Sequence, residues 1–345
     1  MSAQRQGRAL AVLGLVLVAA LALAVAVGSV WVPPTTVLRL LAWKVGLAER
    51  PVDVARSVEV IVLELRLPRV LLAAVVGAAL AASGTVFQAL FRNPLADPAI
   101  IGVSSGAALG AVLVIVTVGA GSLAAFGVPL AAFVGALATG VLVYRLARIG
   151  PSVHLATLLL AGVAVAAVIS SAMSLVMAFS GEQLRDIYTW LLGGLVAQGW
   201  RSVGVTAPVV ALGIAAAAAT AHDLNVVSLG EERAAQLGVD VVRLKRRALA
   251  AGALLAAAAV SVGGIIGFVG LMTPHLLRLV VGPDHRRLLP AVLLAGPTLL
   301  VLADLVARTV VAPQELPVGV VTALLGGPFF LVLLKREGDR ARGGA

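Results

Sequence analysis

"ALAVLGLVLVAALALAVAVGSVWV" (residues 9–32) runs for 24 positions without a single charge. As a helix it rises about 36 Å at 1.5 Å per residue, enough to cross a hydrocarbon core of about 30 Å. Further apolar runs fall near 70–90, 99–118, 123–144, 153–179, 202–221, 248–266, 268–281, 288–307 and 317–334, in a chain that is 61% hydrophobic and 12% charged. Inside lipid only helices and closed barrels pair all their backbone polar groups. These runs are continuous rather than alternating, which excludes a barrel. The fold class is therefore an all-α polytopic membrane protein with about ten transmembrane helices.

Arg5 and Arg8 precede the first run, as in a secretory signal, but the run is about twice a signal core and reads as a retained helix. Ten spans put both termini on one side. With the N-terminus inside, 17 of the 26 basic residues fall in inner segments, so both termini are expected to be cytoplasmic. Six of the nine outer ones lie between about 33 and 69. The net charge of +10 is thus a topology signal and not a nucleic-acid footprint. Residues 1–345 read as a single transmembrane domain, with a long outer loop at 33–69 and an inner loop at 222–247.

Small residues four apart let helix backbones approach closely in lipid. Gly102, Gly106 and Gly110 have that spacing, and Gly263 and Gly267 repeat it.

Several chemistries are missing. A nucleotide-binding P-loop needs Gly-Lys followed by Ser or Thr, yet Lys44, Lys245 and Lys335 follow Trp43, Leu244 and Leu334. There is no cysteine, and His154, His222, His275 and His285 show no metal-ligand spacing. His222 with Asp223 and His285 with Asp284 read as caps at inner boundaries. The spans hold almost no ionisable relay residues; Asp304 and Arg308, one turn apart, can partly neutralise each other. A stand-alone secondary transporter, the alternative reading, would need such relays. An outside engine fits better.

The stretch "LGEERAAQLGVDVVRLKRR" (229–247) concentrates charge where the chain otherwise avoids it. Ser228 stands three residues before Glu231, a capping-box spacing, and Gly238 suits a left-handed stop. Leu229, Gly230, Glu231, Glu232, Arg233, Ala235, Leu237 and Gly238 would form a short inner-surface helix. Its leucines would be available to the membrane domain and its charges to water or a partner. The basic run Arg243–Arg247 reads as a positive-inside signal.

"LRLPR" (65–69), "GAALAASGTVFQALFRNPLADPAIIGVSSGAALGA" (77–111), "LGEERAAQLGV" (229–239), "GGIIGFVGLMTPHLLRLVVGPDHRRLLP" (263–290), "LADLVAR" (302–308) and "ELPVGVVTALLGGPFFLVLLKR" (315–336) together resemble the FecCD-type permeases. These are membrane subunits of binding-protein-dependent ABC importers for ferric siderophores, haem and vitamin B12. The resemblance implies a vitamin B12 permease-like fold in a bacterial cell (inner) membrane, and a homodimer around a central pathway. It implies two cytoplasmic ABC ATPase subunits docked at 229–238, which carry ATP and Mg, so that this chain binds no cofactor and is no enzyme itself. It implies an extracytoplasmic substrate-binding protein met by Arg66, Arg69 and Arg308, where guanidinium forks suit carboxylates. The fifth span, with Ser170, Ser171, Met173, Ser174 and Met177, is expected to line the pathway, and Gly181, Gly193 and Gly194 to bend its outer end. Family frequency puts a ferric siderophore first as cargo, cobalamin and haem next.

Overall fold

Each of the ten apolar runs is a helix in the computed structural model, which describes residues 3–28, 30–119, 122–150, 152–196 and 199–343. The helices in chain order begin with α1 (Ala3–Ala26), the short α2 (Pro34–Lys44) and α3 (Arg56–Val60), and α4 (Leu67–Leu90). They continue with α5 (Val103–Val118), α6 (Ser122–Ala147), α7 (Leu155–Ala178), the short α8 (Leu184–Leu191) and α9 (Trp200–Val227). After the six-residue α10 (Glu231–Gln236) come α11 (Val241–Gly263), α12 (Val269–Val281), α13 (His285–Thr309) and α14 (Val318–Gly343). Among the described residues seven helices are long and apolar enough to cross a membrane, and Val103–Val118, Val269–Val281 and Val318–Leu333 are shorter apolar helices.

The stretch 33–69 is more ordered than its charge suggests. α3 runs through a π-helical turn (Ile61–Arg66) straight into α4, so one helix extends from Arg56 to Leu90. Pro68 sits in the first turn of α4. A proline lacks the N–H that would bond the carbonyl four residues back, and a wider turn takes up such a mismatch. The outer basic residues mostly find acids on their own side: Arg39 pairs with Asp53, and Arg50 and Arg56 both pair with Glu59. That pairing explains why so many arginines lie outside against the inner bias.

α4 is the central post. It packs against α13, α11, α9 and α12 and is buried along almost its whole length. Glycine makes these contacts possible. The backbone of Gly84 crosses that of Gly270 on α12, and Gly77 crosses Gly296 on α13, with no room for a Cβ at either point. Gly102, Gly106 and Gly110 do share one face, against Thr139, Gly135 and Ala131 of α6. Gly263 and Gly267 do not make such a pair: Gly263 ends α11, and a Cβ on Gly267 would meet nothing within 4 Å. Polar ties add to the packing. Ser83 Oγ donates to the Gly252 carbonyl on α11 at 2.7 Å, and Gln88 Nε2 to the Leu271 carbonyl at 3.1 Å. Arg278 Nη1 closes that chain on Gln88 Oε1 at 2.6 Å.

α12, at 13 residues, rises only about 20 Å, short of the membrane core. The irregular segment 264–268 completes the crossing. Broken backbone survives at such depth where protein covers it, and here it is covered. Gly194 N–H donates to the Gly263 carbonyl at 2.8 Å, and Gly319 N–H to the Gly193 carbonyl at 3.3 Å. Gly193 (φ 72°) and Gly264 (φ 64°) take left-handed conformations at that junction. α7, by contrast, leaves a broad apolar face open, including Leu160, Val163, Val168, Leu175 and Phe179.

Candidate functional site

At the inner end, defined by the basic bias, α9 ends at Val227 and the chain folds outward into α10. α9 runs past His222 and Asp223, which therefore lie within its last turns rather than capping it. Ser228 does not make the expected capping box. Its hydroxyl donates back to the Asn225 carbonyl at 2.6 Å, and the residue that starts α10 is Gly230, at φ 115° with no side-chain cap. Gly238 is the left-handed stop (φ 86°), and the Val239 N–H returns to the Ala234 carbonyl at 3.0 Å.

The faces of α10 are divided differently from the sequence expectation. Ala234, fully buried, is the anchor to the membrane domain. Leu229 and Leu237 are 58% and 66% exposed, and Glu232, Arg233 and Ala235 are exposed with them. Two exposed leucines thus stand beside exposed charges. Glu231 behaves otherwise: its Oε2 accepts from Lys245 Nζ at 2.7 Å. Lys245 is buried and also lies 3.4 Å from the Val153 carbonyl. It is therefore set apart from Arg243, Arg246 and Arg247, which are exposed as a topology signal should be.

Next to α10 a second tie links α9 to α13. Asn225 Nδ2 donates to Asp284 Oδ1 at 2.7 Å, while Asn225 Oδ1 accepts the backbone N–H of His285 at 2.8 Å. Asp284 is the N-cap of α13 through the Arg286 N–H. Burial pushes its carboxyl upward. The hydrogen bonds from Arg286 N–H and Asn225 and the charges of Arg287 and Arg286 outweigh that, and hold it below the usual aspartate range.

At the outer end Arg66, Arg69 and Arg308 come together around a cavity of about 530 Å³, shared with Gly28, Glu64 and Glu315. Their guanidiniums are already engaged. Arg66 Nη1 donates to the Val25 and Ala26 carbonyls at 3.1 and 2.9 Å, and its Nη2 to that of Val30. Arg308 Nη2 donates to the Ala24 carbonyl at 2.9 Å. Together they satisfy the orphan carbonyls at the C-terminus of α1, where positive charge also suits the helix dipole. Arg69 reaches Asp304 Oδ1 through Nε and Nη2 at 3.0 and 2.9 Å, and Glu315 through Nη1 at 2.8 Å. Asp304 is fully buried between Arg69 and Arg308.

On α7, Ser170, Ser171 and Ser174 lie on the open face. Ser171 and Ser174 turn their hydroxyls back to carbonyls one turn earlier, at 3.0 Å each, which satisfies them in an apolar setting. Met173 faces the other way, packed with Ala108, Val112, Ile115, Ile169 and Ile187, and Met177 adjoins that cluster. Met173 and Met177 thus border the packed side of the helix, next to Ser170, and Ser171 lies farthest from it. Gly181 (φ 48°) and Gly193 (φ 72°) turn the chain beyond it.

The residues missed by pattern reading are Asn225, Lys245, Gln88, Arg278 and Glu315. Lys245 had a signal: it shares a helical stripe with Ala248, Leu249 and Gly252, all buried.

Comparison with known proteins agrees with this architecture. The profile of the FecCD transport family matches residues 16–336. The chain is 50% identical over 288 residues to the cobalamin import system permease protein BtuC of Halobacterium salinarum, covering 84% of this chain and 77% of that one. It is 46% identical over 284 residues to the hemin transport system permease protein HmuU of Yersinia pestis, with 81% and 85% covered. A solved structure described as an ABC transporter of metal-chelate type in an inward-facing conformation superposes with a TM-score of 0.82, at 32% identity over 96% of this chain and 99% of that one.

Proposed function

The chain belongs to the FecCD transport family as a multi-pass membrane permease of ABC importers for metal chelates, cobalamin or haem, and on that premise we propose that its cargo is a metal tetrapyrrole. Two relatives of high identity, named for cobalamin and for hemin, support that class over the ferric siderophore favoured by family frequency. Both cargoes are bulky metal macrocycles built on four pyrrole-derived rings.

Transport runs by alternating access, powered from outside the chain. Two ABC ATPase subunits, holding ATP and Mg, dock on the exposed face of α10 formed by Leu229, Glu232, Arg233 and Leu237. That face is the observation that carries the reading: two charges on a six-residue helix and the two leucines that flank it are all turned outward. A second copy of the permease covers the open face of α7, and Ser170, Ser171 and Ser174 border the route between the copies. The hydroxyls of Ser171 and Ser174 are internally satisfied, which favours a wall that holds its cargo weakly.

Outside, a substrate-binding protein docks over the arginine-lined cavity. Arg69 is the arginine best suited to receive its carboxylate, because one of its acidic partners, Glu315, is one-third exposed and can be exchanged, whereas Arg66 and Arg308 are committed to the end of α1.

The test is uptake into proteoliposomes holding the permease, its ATPase subunits and its binding protein, offered cyanocobalamin, haemin or a ferric hydroxamate. ATP-dependent uptake of a tetrapyrrole is expected. Uptake of the hydroxamate alone overturns the cargo, and uptake by the permease without its ATPase overturns the class.

A further inference from the structure

α10 is joined to its neighbours through two left-handed glycines, Gly230 (φ 115°) and Gly238 (φ 86°). Glycine joints bend easily, so the covalent chain alone is a poor lever. The packing of α10 is slight, with Ala234 its one fully buried side chain. A load applied to its outer face therefore needs another route inward.

Lys245 supplies one. We propose that Lys245 is a positioning residue that ties α10 to the start of α7, holding Glu231 on one side and the Val153 carbonyl on the other. The proposal rests on the reading of α10 as the ATPase contact. An ammonium carries three donors and no acceptor, and a buried one is costly without partners. Nζ sits 2.7 Å from Glu231 Oε2 and 3.4 Å from Val153 O, so neither partner can leave without exposing it. Val153 lies two residues before the start of α7, in a hairpin that pairs Arg148 with Val153 and joins α6 to α7. A displacement of Glu231 thus reaches the helix whose serines border the route, by a contiguous chain of charge and hydrogen bonds. Spatial continuity alone is not coupling; the experiment must show movement.

The chain has no cysteine, so spin labels can be placed freely. One pair joins Gln236→Cys on α10 to Leu212→Cys on α9; another joins His154→Cys at the start of α7 to the same Leu212→Cys. Distances are read in the permease assembled with its ATPase subunits, with and without ATP and vanadate. Both distances should change in the otherwise unmodified chain. In Lys245→Met the α10 change should persist and the α7 change should be lost; Lys245→Arg should keep both and so separates the tie from misfolding. An α7 change of full size in Lys245→Met overturns the tie. So does the loss of both changes in a normally assembled Lys245→Met complex, because Lys245 would then act on docking itself. If α10 does not move in the unmodified chain, the ATPase-contact reading falls, and the tie falls with it.

Discussion

Arg69 holds Asp304 by two of its nitrogens, Nε and Nη2, at 3.0 and 2.9 Å, across 235 positions of sequence. Asp304 is fully buried, and Arg308 lies against its other oxygen at 3.1 Å. One carboxylate thus bridges two arginines at the outer junction of α4 and α13, and Glu315 on Arg69 supplies the second negative charge. Removing one partner of a buried ionic cluster leaves an uncompensated charge, at a cost of about 3–5 kcal/mol. Asp304→Leu is expected to lower the melting temperature of the detergent-solubilised permease sharply, and far more than Glu315→Gln, whose carboxylate is one-third exposed. Equal effects would count against the burial argument.

Arg66 caps α1. Arg66→Ala should leave the Val25 and Ala26 carbonyls without their donor and cost about 1.5–3 kcal/mol, the range for hydrogen bonds to charged groups. Hydrogen exchange should quicken at the outer end of α1 and in residues 26–32, with α11 unchanged. Local protection tells the two arginines apart: Arg69→Gln, which also strips buried Asp304 of a partner, should weaken association with the binding protein while α1 stays protected, and Arg66→Ala should show the reverse pattern.

Gly84 meets the backbone of Gly270, which cannot turn aside as a side chain can. Gly84→Val must push α12 away from α4, and overpacking of this kind typically costs about 1–3 kcal/mol or more. Reduced yield of folded permease is expected, whereas Gly7→Val, with open space around it, should be neutral by the same measurement.

The two glutamates of α10 should separate. Glu232 is exposed and Glu231 is paired with Lys245. Glu232→Lys, or Leu237→Asp, should reduce capture of the ATPase subunits with little change in thermal stability. Glu231→Lys places two cations together and should lower stability as well. Co-purification and melting curves on the same samples distinguish them.

Acid should reach the α9–α13 tie late. The Asp284 carboxyl titrates below the ordinary 3.8 in the folded chain, so its contribution is complete above that value and is lost as pH falls through the lower folded value. Accessibility of a cysteine placed at Pro283 should stay constant from neutral pH down to about 4 and rise only below it. A rise between pH 7 and 5 would assign the tie to another group.

Much of this protein is legible in its residues. Ten apolar runs became ten helices because lipid leaves a backbone no other way to pair its N–H and C=O groups. The helix boundaries were harder. Arg56–Leu90 was hidden because charge at Arg56, Glu59, Glu64, Arg66 and Arg69 reads as loop, and only the folded chain shows Arg56 pairing with Glu59, and Arg66 and Arg69 meeting carbonyls and acids. The stop at Gly238 was visible, since a left-handed turn after a short helix calls for glycine. The division of α10 was not. Leu229 and Leu237 are apolar and would be placed inward by composition, yet they face outward and leave Ala234 as the anchor.

The sequence by itself determined the class, the number of apolar helices and the site of the inner surface element, because hydropathy, charge bias and turn chemistry act locally. Tertiary structure alone decided which charges stay exposed and which turn into the protein. Arg66 and Lys245 are spent on groups at least 14 positions away, and Asp304 holds Arg69, 235 positions away, besides Arg308 one turn on. Burial sets that outcome: a charge withdrawn from water must find its counterpart nearby in space, and chain distance says nothing about where that is.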